Sequence, residues 1–241
     1  MRTPSTAIVV DMPATDPLQP LLELGGIADL AREASAAVAA VHRRPVSLRR
    51  ADVTGSESVL RGARTSALID DPRTRRLDTP AGPLGAAISV YGLLAPGTVE
   101  HSARTFLRAP LQILARMDTL AGGDGLPVAA DGAARLQALA GLITGGHAHD
   151  VLLPQVVHGE IAGHRIFGER SGLIARAAAR LTAVTTGFDP RGLAVPETHL
   201  NRHRAHYLES LAEGYGEDFL ELSLRAWIAG ADEAEAIARA V

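Results

Sequence analysis

Apolar residues return at intervals of three and four along almost the whole chain, and no pair of alternating segments reads as a strand hairpin. That periodicity restricts the chain to helix packed on helix. Aromatic residues are 3% of the 241, too few for the inward faces of a β-sandwich. Residues 27–42 carry Ile27, Leu30, Ala31, Ala34, Val38 and Val41 on one stripe. Residues 48–69 form a second helical region, broken or begun near Thr54-Gly55-Ser56, with Ser56 as cap, and stopping at Asp70-Asp71-Pro72. Further helices are expected over 83–94, over 99–108 capped by Thr98, over 111–120 after Pro110, and over 131–143. The last three are expected over 197–211, 216–228 and 232–241. Residues 1–26, rich in Pro and Gly, read as an extended arm. The expectation is therefore one all-α domain, 27–241, of eight to ten helices.

At 46% hydrophobic content the chain can bury a full core. A net charge of −3 and a pI near 6.3 give no electrostatic case for a nucleic-acid partner. All 24 basic residues are Arg, a bias that with the abundant Ala and Gly suggests a high-GC bacterium. With no Cys there is no thiol nucleophile, no disulfide and no Cys-ligated zinc. The apolar run Ala7-Ile8-Val9-Val10 is ended by Asp11 and Pro13, too short for a signal peptide, and no stretch has the length of a membrane span. A cytoplasmic protein without a membrane partner is expected.

The stretch 156–176 reads as an apolar helix, a short polar turn and a second helix. Gly168, Glu169, Arg170, Ser171 and Gly172 break one periodic pattern, and Leu173, Ile174, Ala177, Leu181 and Val184 begin the next. Free N–H groups at such a helix start favour phosphate or carboxylate, and Arg176, one turn in, can add a forked cationic donor. The same turn also reads as an ordinary corner with solvated Arg and Glu.

Residues 165–176 resemble, in frame, the motif of the Fic (filamentation induced by cAMP) family, His-Pro-Phe-x-Asp/Glu-Gly-Asn-Gly-Arg-x-x-Arg. Phe167, Glu169, Gly172 and Arg176 match. Arg165 stands in place of the motif His, Ser171 in place of Asn and Leu173 in place of the first Arg. With its flanks, the stretch looks like a divergent actinobacterial-type branch. The resemblance implies a Fic-like helical fold with a pocket for nucleotide phosphates, magnesium placed by the acidic residue, and transfer of AMP or another phosphoryl-containing group.

Carried over, the ligand-binding residues are Arg165, Phe167, Gly168, Arg170, Ser171, Gly172 and Arg176. The catalytic candidates are His164, His158 and Glu169. Arg165 cannot be the base, since a guanidinium stays protonated at any working pH. Ordinary AMP transfer is therefore not expected, and a regulator or an enzyme of altered chemistry is. Ser66 to Asp71 resembles a shortened form of the family's inhibitory helix, with Ser66 and with Asp70 facing Arg176; Glu169 is the rival partner for that guanidinium. Residues 122–128 are the only candidates for the family's flap, and a plain loop is the alternative.

Two other readings stay open. One is a non-catalytic binding or scaffold protein with a vestigial pocket. The other is a metal-dependent hydrolase built on His199, His203 and His206, spaced four and three apart. His147, His149 and Asp150 are a weaker loop cluster, and no metal ligand is assigned. The expected partner is a small anionic ligand or nucleotide. A protein partner and a homodimer are left open.

Overall fold

The computed structural model describes residues 16–76, 82–212 and 215–241, without the side chains of 75 and 76. Thirteen α-helices run through them: α1 (Gln19–Leu22), α2 (Ile27–Arg43), α3 (Pro45–Arg49), α4 (Ala51–Asp70), α5 (Gly82–Tyr91), α6 (Val99–Arg108) and α7 (Pro110–Leu120). Then come α8 (Gly132–Gly145), α9 (Leu152–Gly163), α10 (Ser171–Thr186), α11 (Glu197–Arg202), α12 (Arg204–Ala212) and α13 (Glu217–Ala240). Short 3-10 turns cover Pro72–Arg76, Gly92–Leu94 and Gly168–Arg170. No strand occurs among the described residues, and the fold is all-α. No single helix among them is long and apolar enough to cross a membrane.

The centre is the pair α9 and α10, which pack on each other more extensively than any other two helices. Helix α10 is buried on every side, and apart from Arg176 and Arg180 its buried stretch is mostly apolar. From Leu173 to Ala183 every residue is buried, five of them alanines that let α4, α5, α6, α7 and α9 approach closely. Around this pair α13 lies on α2, and α4 lies on α5 and α11.

Several expectations need correction. Helix α4 runs straight through Thr54-Gly55-Ser56, so Ser56 caps nothing. Gly55 is kept for space: a Cβ there would meet Pro96 Cγ at 2.9 Å. Thr98 precedes α6 without capping it, its hydroxyl donating instead to Gly92 O at 2.6 Å. Helix α13 does not break near Gly230, because that glycine is where the 195–196 backbone touches it. Val195 N–H donates to Gly230 O at 3.1 Å, and a Cβ at 230 would lie 2.7 Å from Pro196 N. Conversely, 197–211 is two helices with a break at His203. The expected arm contains α1, and its first fifteen residues lie outside those described.

Candidate functional site

Helix α9 ends at Gly163, and the chain reverses into α10 through Arg165, which holds a left-handed φ of 47°. Gly168 follows with φ 62°. An L residue with a large side chain pays for such a φ unless neighbours fix it. Here Gly168 N–H donates to Arg165 O (2.8 Å), Ile166 N–H to Ile161 O (3.2 Å), and Phe167 N–H to Ser171 Oγ (2.8 Å). Loop residues Val128 and Ala129 both donate to Ile166 O, at 2.8 and 3.3 Å. The 122–128 segment therefore has no strand, yet its end is tied by backbone to the turn. Phe167 is core, not lining.

The turn opens onto a cleft of about 1070 Å³ between the ends of α4 and α9, the start of α10, the start of α5 and one face of α12. Of the expected ligand-binding residues, Arg165, Gly168, Arg170, Ser171, Gly172 and Arg176 line it, as do Glu169 and Asp70. Five arginines (Arg73, Arg165, Arg170, Arg176, Arg204) line it against three carboxylates (Asp70, Asp71, Glu169), with Arg170 paired to a fourth, Asp118, so the described residues carry a small local excess of positive charge.

Arg176 forms its floor. It is 2% exposed, and a charge so buried needs several partners. Its Nε donates to Ser66 Oγ (2.9 Å), Nη2 to Ser66 O (3.3 Å) and Asp70 Oδ2 (2.6 Å), and Nη1 to Tyr207 Oη (3.3 Å). Four of the five N–H groups are thus engaged by described residues. Burial is the largest influence on its pKa and pulls it down. The carboxylate of Asp70, with Tyr207 and Tyr91, outweighs that, and the guanidinium is held above its usual value.

Over this pair sits Gly172. A Cβ there would lie 3.0 Å from Arg176 Nη1 and 3.1 Å from Asp70 Oδ1. Only a glycine leaves the pair uncovered toward the cleft. The expected Asp70 to Arg176 contact is present. Its rival, Glu169, is 94% exposed at the side chain and turned to Arg165, 3.3 Å away.

The other arginines are engaged to different degrees. Arg170 Nε donates to Asp118 Oδ1 at 2.6 Å; that carboxylate is fully buried and also accepts from Gly125 N–H at 2.9 Å. Arg204 Nε donates to Ile69 O at 2.6 Å, closing the C-terminal end of α4. Arg73 pairs with Asp71 at 2.9 Å. Among the described residues the Arg165 side chain has only the loose contact with Glu169. Glu169 offers one unshielded carboxylate at the rim, a single ligand for a magnesium ion that prefers six.

Neither histidine expected to act as a base lines the cleft. His158 lies behind Tyr207, Nε2 to Oη 2.8 Å, among Phe219 and Arg176. Burial first, and Arg176 second, push its pKa down to about 3. Because Tyr207 Oη accepts from Arg176, its own proton is available to His158 Nε2. The imidazole is neutral and held. His164, one place before the motif's first position, turns to Tyr215, ring centroids 6.1 Å apart, and to Glu160, Nε2 to Oε2 3.6 Å. His164 follows the last residue of α9 and precedes the left-handed Arg165, where the chain reverses, so its side chain stays against Tyr215 and Glu160.

The histidine face outside the motif does not assemble either. His199 and His203 stack with centroids 4.4 Å apart, whereas His206 is turned to Asp218 at 2.8 Å. The break between α11 and α12 separates their faces. Among the described residues no group of three His, Cys, Asp or Glu side chains is placed to hold a metal ion, and that includes His147, His149 and Asp150.

Sequence reasoning missed Asp118, Arg204 and Tyr207 as parts of the site. The spacing of Tyr207 with Leu200 and Leu211 marks it for burial but says nothing of Arg176. Asp118 stands on the buried side of α7, beside Leu114 and Met117. An acid on an apolar stripe was the available clue.

Comparison with family models, with curated proteins and with solved structures found no match to this chain.

Proposed function

We propose that this chain is a degenerate Fic-like protein that binds a phosphate-bearing anion in the cleft and does not carry out ordinary AMP transfer, serving as a regulator or as an enzyme of altered chemistry. The observation that carries this reading is the Arg176 to Asp70 pair lying open beneath Gly172. A phosphate reaching it meets a guanidinium already oriented by Ser66 and Tyr207, the start of α10 and the loosely engaged Arg165. Asp70 competes for the same guanidinium, so the protein supplies its own counter-charge wherever no phosphate pairs with it. Ordinary AMP transfer is not expected on chemical grounds. Position 165 carries a group with no lone pair to accept a proton, and the two nearest histidines face elsewhere.

Calorimetric titration with phosphate, pyrophosphate, ATP and CTP, with and without magnesium, tests the reading. Asp70→Asn should bind more tightly than the unaltered protein, and Arg176→Gln about 10- to 100-fold more weakly. Equal binding by all three proteins would overturn it. Incubation with labelled ATP should leave the protein and a lysate unlabelled, and robust labelling would refute that part.

A second reading, a scaffold with a vestigial pocket, is favoured by the near-complete engagement of Arg176 by protein groups. It predicts no binding of any of these anions.

A further inference from the structure

The cleft has far more room than a phosphate needs, and its size is at the upper end for small-molecule sites, about 300–1,000 Å³. What lines the remainder is specific in what it lacks. Among the described lining residues there is no Phe, Trp, Asn, Gln or Thr. The single aromatic, Tyr207, is fully buried, with its hydroxyl committed to His158 and Arg176, so it offers no ring face. The single serine, Ser171, accepts from Phe167 N–H. Among the described residues a nucleobase would find neither an aromatic ring to stack on nor a side-chain amide to read its edge.

Aliphatic side chains are present instead. Helix α12 presents Arg204, Leu208, Leu211 and Ala212 to the cleft, a positive charge at its start and an apolar stripe after it. Leu173, Ala162, Ile69, Pro83, Ala86 and Ala121 continue the apolar lining. Leu208 is 41% exposed, one of few large apolar side chains left so among the described residues. Cation and aliphatic wall therefore share one enclosure.

We infer that the ligand of this cleft is an amphipathic anion, a single aliphatic chain ending in a phosphate, rather than a nucleotide. The phosphate lies at Arg176 and the start of α10; the chain lies along Leu173, Leu208 and Leu211. This rests on the anion-binding reading above and adds the chemistry of the ligand's body. No bond is made or broken.

The test is a calorimetric series with inorganic phosphate, hexyl, octyl and decyl phosphate, each below its micelle concentration, and ATP. Every methylene that becomes fully buried tightens binding by about fourfold, so decyl phosphate should bind at least about tenfold more tightly than hexyl phosphate. Leu208→Asp should abolish that chain-length dependence, read as the ratio of decyl to hexyl phosphate affinity within the variant. Leu126→Asp, at a 61% exposed leucine outside the cleft, should retain it, which separates the cleft from detergent-like adsorption. Phosphate binding that depends on Arg176 but gains nothing from chain length would overturn this inference and leave the anion site standing. Chain-length dependence that survives Leu208→Asp, or ATP displacing decyl phosphate at equal concentration, would also overturn it. Binding by none of the compounds would overturn both readings.

Discussion

Two arginines one turn apart on α10 illustrate opposite uses of a buried cation. Arg180 is sealed. Its Nη2 donates to Ser58 Oγ (2.7 Å) and Gly192 O (2.8 Å), its Nη1 to Ser58 O (3.3 Å), and Glu197, itself fully buried, lies 3.7 Å from Nη1. Tyr91 donates to Glu197 Oε1 at 2.7 Å, its own ionisation pushed well up by burial and then by that carboxylate. Gly62 makes the room: a Cβ there would fall 2.3 Å from Arg180 Nη1. Arg176 uses the same device on the same helix, bonding Ser66 of α4 as Arg180 bonds Ser58, but its carboxylate is one-third exposed and its glycine faces a cleft. The first arrangement can only hold helices together. The second leaves its counter-ion partly exposed to the cleft.

The largest expected effect lies on the sealed side. Arg180→Ala strands a buried Glu197 and should cost about 3–5 kcal/mol in urea unfolding. Adding Glu197→Leu should recover part of that loss. A single-variant loss below about 1 kcal/mol would remove the contrast between the two sites.

Next in size is acid sensitivity on the Arg176 side. His158 titrates near 3 when folded against an ordinary 6.5, so between those values the unfolded chain binds the extra proton. Its contribution is intact above pH 6.5 and is lost as pH falls toward 3, by up to roughly 1.4 kcal/mol per unit. Chemical unfolding followed from pH 7 to 4 should be steeper for the unaltered protein than for His158→Gln. Equal slopes would show that His158 is not held neutral.

Arg176→Gln should destabilise by about 1–3 kcal/mol, less than Arg180→Ala, because Asp70 can turn to water when its partner is gone. Reversal of that order, read by the same unfolding experiment, would make Arg176 the structural member. The smallest effect is expected for Gly172→Ala. The neighbours must give by a few tenths of an ångström, so stability should change by no more than about 1 kcal/mol while anion affinity falls measurably. Unchanged affinity would show that the ligand does not enter over residue 172.

Most of the helices could be read from their periods, since packing one apolar stripe is a local demand on the chain. Helices α2, α6 and α7 fall close to the segments their apolar residues marked. The breaks were harder to read. Gly55 and Gly230 looked like interruptions but are points of contact with Pro96 and with the backbone at 195–196, information that belongs to the neighbour and not to the glycine. Residues 197–211 failed in reverse, their continuous pattern divided at His203.

The candidate site divides in the same way. The turn at 168–172, the helix start after it and a carboxylate at the end of α4 were all visible along the chain, since turn residues, a new period and a Pro-terminated helix are local signals. That Arg176 should need a carboxylate followed from charge and burial, but only the packing of α4 against α10 decided that Asp70, 106 residues away, supplies it rather than Glu169 in the same turn. Tertiary structure alone also turned His158 and His164 out of the cleft and hid Arg180 with Glu197. Sequence spacing fixes the angle of a side chain about its own helix, whereas what it meets there depends on which helices lie alongside, and that is set by the sum of packing over the whole core.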